Sequence, residues 1–225
     1  MFTKAFHHFV NICGNTHIPS SRFSSQKLSL LPLSTHIAPD RLAVAKAEFD
    51  SMLRDGTAKR AEGPWSSALD LAPKKSTGWR PCKDYRALDA RTIPERYQVS
   101  HIQGYAHRLS GCTIFPKIDL VRPYHQIPVH PDDIKMTAIS MPFGPFEFPF
   151  MSFCLRNAAL TFQRFMDEIL KDLDFYFAYL EDVLFFSRSS EEHDQQLRTL
   201  LTKLQTYRIL LNPSKYVFRV PEISF

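Results

Sequence analysis

FYFAYLEDVLFFS, residues 175–187, is the stretch whose reading decides the fold. Two apolar, aromatic-rich runs flank one adjacent pair of acids, Glu181 and Asp182. Runs of this length and composition read as β-strands, and the acids sit where a tight turn would join them. Neighbouring carboxylates repel, and apolar surroundings penalise their charged forms further unless a cation lies between them. Taken alone, the pair also reads as two solvated turn residues, so a second stretch has to decide.

That stretch lies upstream, CTIFPKIDLVRPYHQIPV at residues 112–129, where Asp119 closes a short apolar strand and Tyr124 follows five residues later. Three carboxylates on the ends of neighbouring strands make a hard-oxygen site suited to Mg²⁺. A strand order that sets Asp119 beside the 175–187 hairpin brings all three acids together.

The segments FPKIDLVRPYHQIPV, MPFGPFEF, RNAALTFQRFMDEIL and YLEDVLFFS follow in this order. Together they resemble the reverse transcriptases of gypsy-type LTR retrotransposons, from about residue 38 to the C-terminus. The resemblance implies an α+β fold of polymerase fingers and palm, with an antiparallel palm sheet backed by helices and the thumb absent. Residues 40–225 then form a fingers-palm domain truncated before the thumb, and residues 1–39 an unstructured leader.

The activity implied is templated addition of deoxynucleotides to a primer by two-metal phosphoryl transfer. Asp119, Glu181 and Asp182 are then the catalytic acids and the ligands of Mg²⁺, with Mn²⁺ as its substitute. The implied partners are an RNA or DNA template with its primer and deoxynucleoside triphosphates. By the same resemblance, Arg80 and one of Lys74 and Lys75 contact the triphosphate, and Lys215 lies near it. Tyr124 is the sugar gate, Phe153 sits against the nucleotide, and Gln163 supports the nucleotide pocket.

Four positions depart from the family pattern. Glu181 stands where the family has Asp, Ser152 and Cys154 replace a Pro and a Gly in M-P-F-G-L, and Lys83 stands where Gly is frequent. One added methylene moves a carboxylate by roughly 1 Å, a misplacement that costs on the order of 100-fold in rate. If the replaced Gly served a positive φ or a close approach of the nucleotide, Cys154 adds strain or bulk of about 1 kcal/mol or more. The expectation is therefore an impaired polymerase. The alternative, from another functional class, is a non-catalytic nucleic-acid-binding module or an inert retroelement relic.

The bulk numbers agree with a globular chain. Its 225 residues suffice for one domain or two closely joined lobes, and 44% are hydrophobic, with 19 Phe. A net charge of +5 fits a nucleic-acid partner without requiring one. The four cysteines lie far apart with no C-x-x-C pair, which argues against zinc sites and disulfides and for a reducing intracellular compartment, cytoplasm or nucleus. No apolar run approaches the roughly 20 residues that span a bilayer, so no membrane partner is expected. Residues 1–39 hold Lys4, Arg22 and Lys27 but no acid, which faintly resembles a mitochondrial presequence.

Local patterns fill in the rest. Asp40 is expected to cap a helix to Asp55 with Leu42, Ala45, Phe49, Met52 and Leu53 inward and Gly56 as the stop. Residues 67–72 and 79–86 should pair as a hairpin around a basic loop; Asp84 and Arg86 match the family pattern, and their alternation suggests an internal salt bridge as readily as substrate binding. A short helix at 101–109 precedes the Asp119 strand. Residues 135–141 and 143–148 read as a strand pair turning at Pro142 or Gly144. Ala158, Phe162, Phe165, Met166, Ile169 and Leu173 form a helical apolar face, with Gln163 a surface flank residue apart from the resemblance. Ser189 and Glu192 form a capping box for a last helix cored by Leu197, Leu200, Leu201, Leu204 and Tyr207. None of the nine His has a partner at metal-ligand spacing, so each reads as structural.

Overall fold

The computed structural model describes residues 38–73, 78–99, 104, 106–179 and 182–212. The chain divides into two compact units, one built on 38–94 and 127–158 and the other on 95–126 and 159–212.

The first unit begins with helix α1, Pro39–Arg54. Pro39 takes the first helical turn, where its missing N–H is no loss. Asp40 lies inside that turn rather than capping it, and no side chain caps the helix. There its carboxylate still complements the helix dipole. Gly56, at φ +69°, ends the helix as the sequence predicted. Ala45 and Phe49 are the fully buried residues of the inward face.

Phe49 is the hub of an aromatic cluster. Its ring centroid lies 4.7 Å from Phe146, 5.9 Å from Phe143 and 6.1 Å from Phe148. Those partners belong to a sheet of β1 (Lys59–Arg60), β5 (Ile139–Met141) and β6 (Gly144–Glu147), ordered β1-β6-β5, and to the residues beside it. The β5–β6 turn needs Gly144, which sits at φ +119° with the Arg60 guanidinium packed where a Cβ would project.

Residues 135–138 are not strand, contrary to the sequence pattern. Ile134–Thr137 forms a 3-10 turn, because the Thr137 hydroxyl donates to the Ile134 carbonyl at 2.6 Å and accepts from the Phe148 amide at 2.8 Å. A local side-chain bond outcompetes the ladder there. Tyr85, buried, donates its hydroxyl to the Thr137 carbonyl at 2.8 Å and fixes the turn from the other side.

β2 (Ala68–Pro73) and β3 (Trp79–Asp84) form the expected hairpin, in register from Ala68 opposite Asp84 to Pro73 opposite Trp79. Arg86, at the start of the one-turn helix α2 (Arg86–Asp89), pairs with Asp84 at 2.6 Å.

The second unit is organised on a sheet ordered β4-β8-β7, from Lys117–Asp119, Asp182–Phe185 and Tyr176–Tyr179. All pairings are antiparallel. Helix α3 (Ala106–Leu109) precedes it and is shorter than predicted among the described residues. The period-two alternation of strands puts Ile118, Val183 and Ala178 on one face, all buried. Helix α5 (Ser190–Thr206) packs on that face, its His193 ring stacked on Phe185 at 5.2 Å. Helix α4 (Ala158–Leu170) bonds to it through Gln163.

Ser189 caps α5 as predicted, accepting from the Glu192 amide at 3.2 Å. The return bond differs: Glu192 accepts from the Arg188 amide at 2.7 Å. The core face of α5 is His193, Leu200 and Leu204, whereas Leu201 is exposed and Leu197 and Tyr207 are half-buried. After α5 the chain returns along the outer edge of β4, where the Asn212 amide donates to the Asp119 carbonyl at 3.0 Å.

Among the described residues Cys82, Cys112 and Cys154 are free thiols, and no helix is long and apolar enough to cross a membrane.

Candidate active site of the antiparallel sheet

Asp119 and Asp182 are Cα partners across the β4–β8 ladder. Residues directly opposite in an antiparallel pair project to the same face with Cβ atoms about 5 Å apart. The two carboxylates therefore share one face of the sheet, the one opposite Ile118, Val183 and Ala178, and both residues are half-buried. Lys117, two residues before Asp119 and so on the same face, donates to Asp182 Oδ2 at 2.6 Å. Tyr179 stands opposite Asp182 on β7 and is 45% exposed. Two expected acids thus converge, and the third, Glu181, lies outside the described residues. Among the described residues no group of three or more His, Cys, Asp or Glu is placed to hold a metal. Two facing, half-buried carboxylates nonetheless offer hard oxygen donors of the kind Mg²⁺ takes.

Tyr124 lies in the 3-10 turn Pro123–Gln126, five residues beyond Asp119, and is buried. Its ring meets Phe162 edge-to-face at 5.6 Å, which holds it as a rigid wall. The turn is set up by Arg122, which takes a left-handed φ of +43°, and is tied down by Gln126. The Gln126 amide donates to the Val121 and Leu210 carbonyls and accepts from the Leu210 amide at 2.8 Å.

Gln163 is not a surface residue: it is 1% exposed. Its amide nitrogen donates to the Ala178 carbonyl at 2.9 Å and to Asp167 at 3.1 Å. Asp167 also accepts from the Tyr97 hydroxyl at 2.7 Å. Gln163 therefore holds β7 one residue before Tyr179.

Arg80 and Phe153 belong to the other unit. Arg80 is exposed on β3 opposite Ala72, beside Trp79, over which the Arg41 guanidinium stacks at 3.8 Å. Lys74, Lys75 and Lys215 lie outside the described residues. Phe153 is 56% exposed, while both its flanks are fastened. Lys83 donates its amine to the Ser152 hydroxyl at 2.6 Å, and the Lys83 backbone amide bonds the Cys154 thiol. Farther on, the Arg156 amide donates to Asp89 at 2.9 Å.

Cys154 does not carry the expected left-handed strain, since the positive-φ non-glycine residues are Arg122 and Arg208. Its thiol finds a donor in β3, and burial pushes its pKa up. The three departures Lys83, Ser152 and Cys154 thus meet as one bonded group.

The Lys83 ammonium rests 3.3 Å over the Phe148 ring, and burial pulls its pKa from 10.5 down to about 7. The unfolded chain keeps the ordinary value, so between about pH 7 and pH 10 it holds a proton that the folded chain has released. This residue's contribution to stability therefore rises with pH across that window and is flat below it. Urea midpoints of the chain should accordingly rise relative to those of Lys83→Met on going from about pH 7 to pH 9. A constant difference between the two would contradict the burial of the charge.

Residues 72–225 match the reverse transcriptase (RNA-dependent DNA polymerase) family. The retrovirus-related Pol polyprotein from transposon 297 of Drosophila melanogaster is 31% identical over 231 residues, covering 100% of this chain and 21% of the polyprotein. That from transposon opus of the same fly is 30% identical over 79% of this chain and 18% of its own length. The Tf2-3 polyprotein of Schizosaccharomyces pombe is 27% identical over 87% of this chain and 15% of its own. The chain thus spans about a fifth or less of the polyproteins it matches.

Among solved structures, the foamy viral protease-reverse transcriptase in complex with RNA/DNA hybrid superposes with a TM-score of 0.76 at 20% identity, over 84% of this chain and 26% of that one. A form of the same enzyme in complex with double-stranded DNA gives 0.74 at 20% identity, over 84% of this chain and 34% of that one. The fold is therefore the fingers-palm α+β type. With that fold, the matched segment and the similarity to these retrotransposon polyproteins, this chain belongs to the reverse transcriptase family.

Proposed function

We propose that this chain is the fingers-palm segment of an RNA-directed DNA polymerase whose catalytic acids are Asp119, Glu181 and Asp182. It adds deoxynucleotides to a primer on an RNA or DNA template, and Glu181 slows it. The observation that carries this reading is the cross-strand register of Asp119 with Asp182, which puts both carboxylates on one face of the sheet. The foamy viral enzyme, seen with RNA/DNA hybrid and with double-stranded DNA, supports the choice of nucleic-acid partner.

The three acids would hold Mg²⁺, or Mn²⁺ in its place. Bound there, the ion supplies charge stabilisation at the reacting phosphoryl oxygens and lowers the pKa of the primer hydroxyl. Tyr124 supplies a wall that a 2′-hydroxyl would strike, and its contact with Phe162 keeps that wall from yielding. Gln163 positions β7 through the Ala178 carbonyl. Phe153 is the exposed aromatic offered to the nucleotide. Arg80, with Lys74, Lys75 and Lys215, supplies charge for the triphosphate, Arg as a planar fork and Lys as a point charge.

The test is primer extension on an RNA template in Mg²⁺ and then Mn²⁺, comparing the chain with Glu181→Asp. Shortening the carboxylate by one methylene should raise the rate on the order of 100-fold. The departure at Glu181 also favours a second reading, a nucleic-acid-binding module without catalysis. Primer–template binding that weakens with salt, with extension by neither protein, would select it.

A further inference from the structure

We propose that Lys117 is the built-in counter-ion of the Asp119–Asp182 pair, and that a divalent cation enters this site by displacing it. The proposal rests on the reading of the two aspartates as metal ligands.

The argument starts from register. Asp119 faces Asp182 and Lys117 faces Leu184, so Lys117 and Asp182 are diagonal neighbours on one face of the sheet. A diagonal neighbour is within reach of a long side chain. Like charges directly opposite one another across a ladder destabilise it, and here two carboxylates occupy such a pair. The Lys117 ammonium, 2.6 Å from Asp182 Oδ2, offsets one of them. With no metal bound, the lysine therefore does part of what the metal would do.

It does so exchangeably. The Lys117 and Asp182 side chains are 44% and 43% exposed, and ion pairs that open to water are weak. Lysine is a compact charge on a flexible four-carbon stem, able to withdraw into solvent, unlike a bidentate arginine. A divalent ion needs the carboxylate lone pairs that the ammonium occupies. An ammonium seated on Oδ2 takes one of its lone pairs and repels a divalent ion beside it, so contact with Lys117 and ligation of a metal at that oxygen oppose each other. The metal's apparent affinity is then lowered by the fraction of chains in which the lysine is seated.

The experiment is a titration of the full chain with Mn²⁺ alone, free Mn²⁺ being followed by electron paramagnetic resonance. Lys117→Met should bind about two- to five-fold more tightly than the parent, the range expected for loss of a weak exposed pair. Lys117→Arg, a more persistent occupant, should bind no more tightly than the parent, and Asp182→Asn should lose the site. A second measurement follows the lysine itself. After reductive ¹³C-methylation, the Lys117 signal, identified by its loss in Lys117→Arg, should move to the position of solvated lysines as Mg²⁺ is added.

Equal Mn²⁺ affinity in the parent and Lys117→Met, with binding lost in Asp182→Asn, would overturn this proposal alone. A Lys117 signal indifferent to Mg²⁺ while the metal binds would do the same. No Mn²⁺ binding by any of the four proteins would overturn the metal-ligand reading itself, and this proposal with it.

Discussion

Nucleotide incorporation is expected to fall to background in Asp119→Ala and in Asp182→Ala while the fold survives both changes. The two carboxylates face each other across the β4–β8 ladder, and each repels the other. Removing Asp119 relieves that repulsion and leaves the Lys117–Asp182 pair intact, so its unfolding midpoint should stay level or rise. Removing Asp182 relieves the same repulsion but costs Lys117 its exposed carboxylate partner, a loss of about 0–1 kcal/mol. Activity and stability should thus separate. A residue kept for structure would lose both together, and one kept for chemistry loses only the first. Extension assays beside thermal unfolding of the same samples make the comparison. A folded Asp119→Ala protein that extends as the parent does would remove Asp119 from the site.

The opposite signature is expected at Phe49. Its ring is 1% exposed and touches Phe143, Phe146 and Phe148, which binds α1 to the β1-β6-β5 sheet. Phe49→Ala removes that ring from a cluster of stiff aromatic neighbours that cannot collapse into the space. Substitutions of this kind cost about 3–5 kcal/mol, a large share of the roughly 5–15 kcal/mol that holds a domain folded. Denaturant unfolding should show the midpoint falling with little change in slope. Phe49→Leu, which refills much of the volume, should recover most of the loss. A cost below about 1 kcal/mol for Phe49→Ala would mean that α1 is not anchored through this ring.

Much of this arrangement is legible in the sequence because strands announce their faces with a period of two. The 175–187 hairpin and the Asp119 strand were expected to adjoin, and in the structure they do, with Asp119 opposite Asp182. The β2–β3 hairpin was legible for the same reason, with Gly78 and the prolines marking its ends. What stayed hidden depends on contacts between segments distant in the chain. Lys117 sits in plain view two residues before Asp119, and the period alone places both on one face. Its pairing with Asp182 needs the register as well.

Gln163 read as a surface residue because a polar side chain beside an apolar helical stripe usually is one. The Ala178 carbonyl, fifteen residues on, and Asp167 give it a reason to be buried. His193 displaced Leu201 from the expected core of α5 for a similar reason. A stacked Phe185 and the Ser187 hydroxyl, 3.3 Å from its ring nitrogen, accept an imidazole where a leucine stripe was expected. The 3-10 turn at Ile134–Thr137 escaped because its cause is one hydroxyl, that of Thr137, bonding along its own turn. At Cys154 the strain argument presumed a left-handed backbone that the residue does not adopt.

The most direct test of the central claim is single-nucleotide incorporation in Mn²⁺ on four primer–templates that differ only in the first unpaired template base. Each assay offers all four deoxynucleotides to the parent chain and to Asp182→Ala. A templated polymerase built on these acids adds, in every case, the nucleotide complementary to the template base, and Asp182→Ala adds none. Incorporation that ignores the template base, or that persists in Asp182→Ala, would contradict the account.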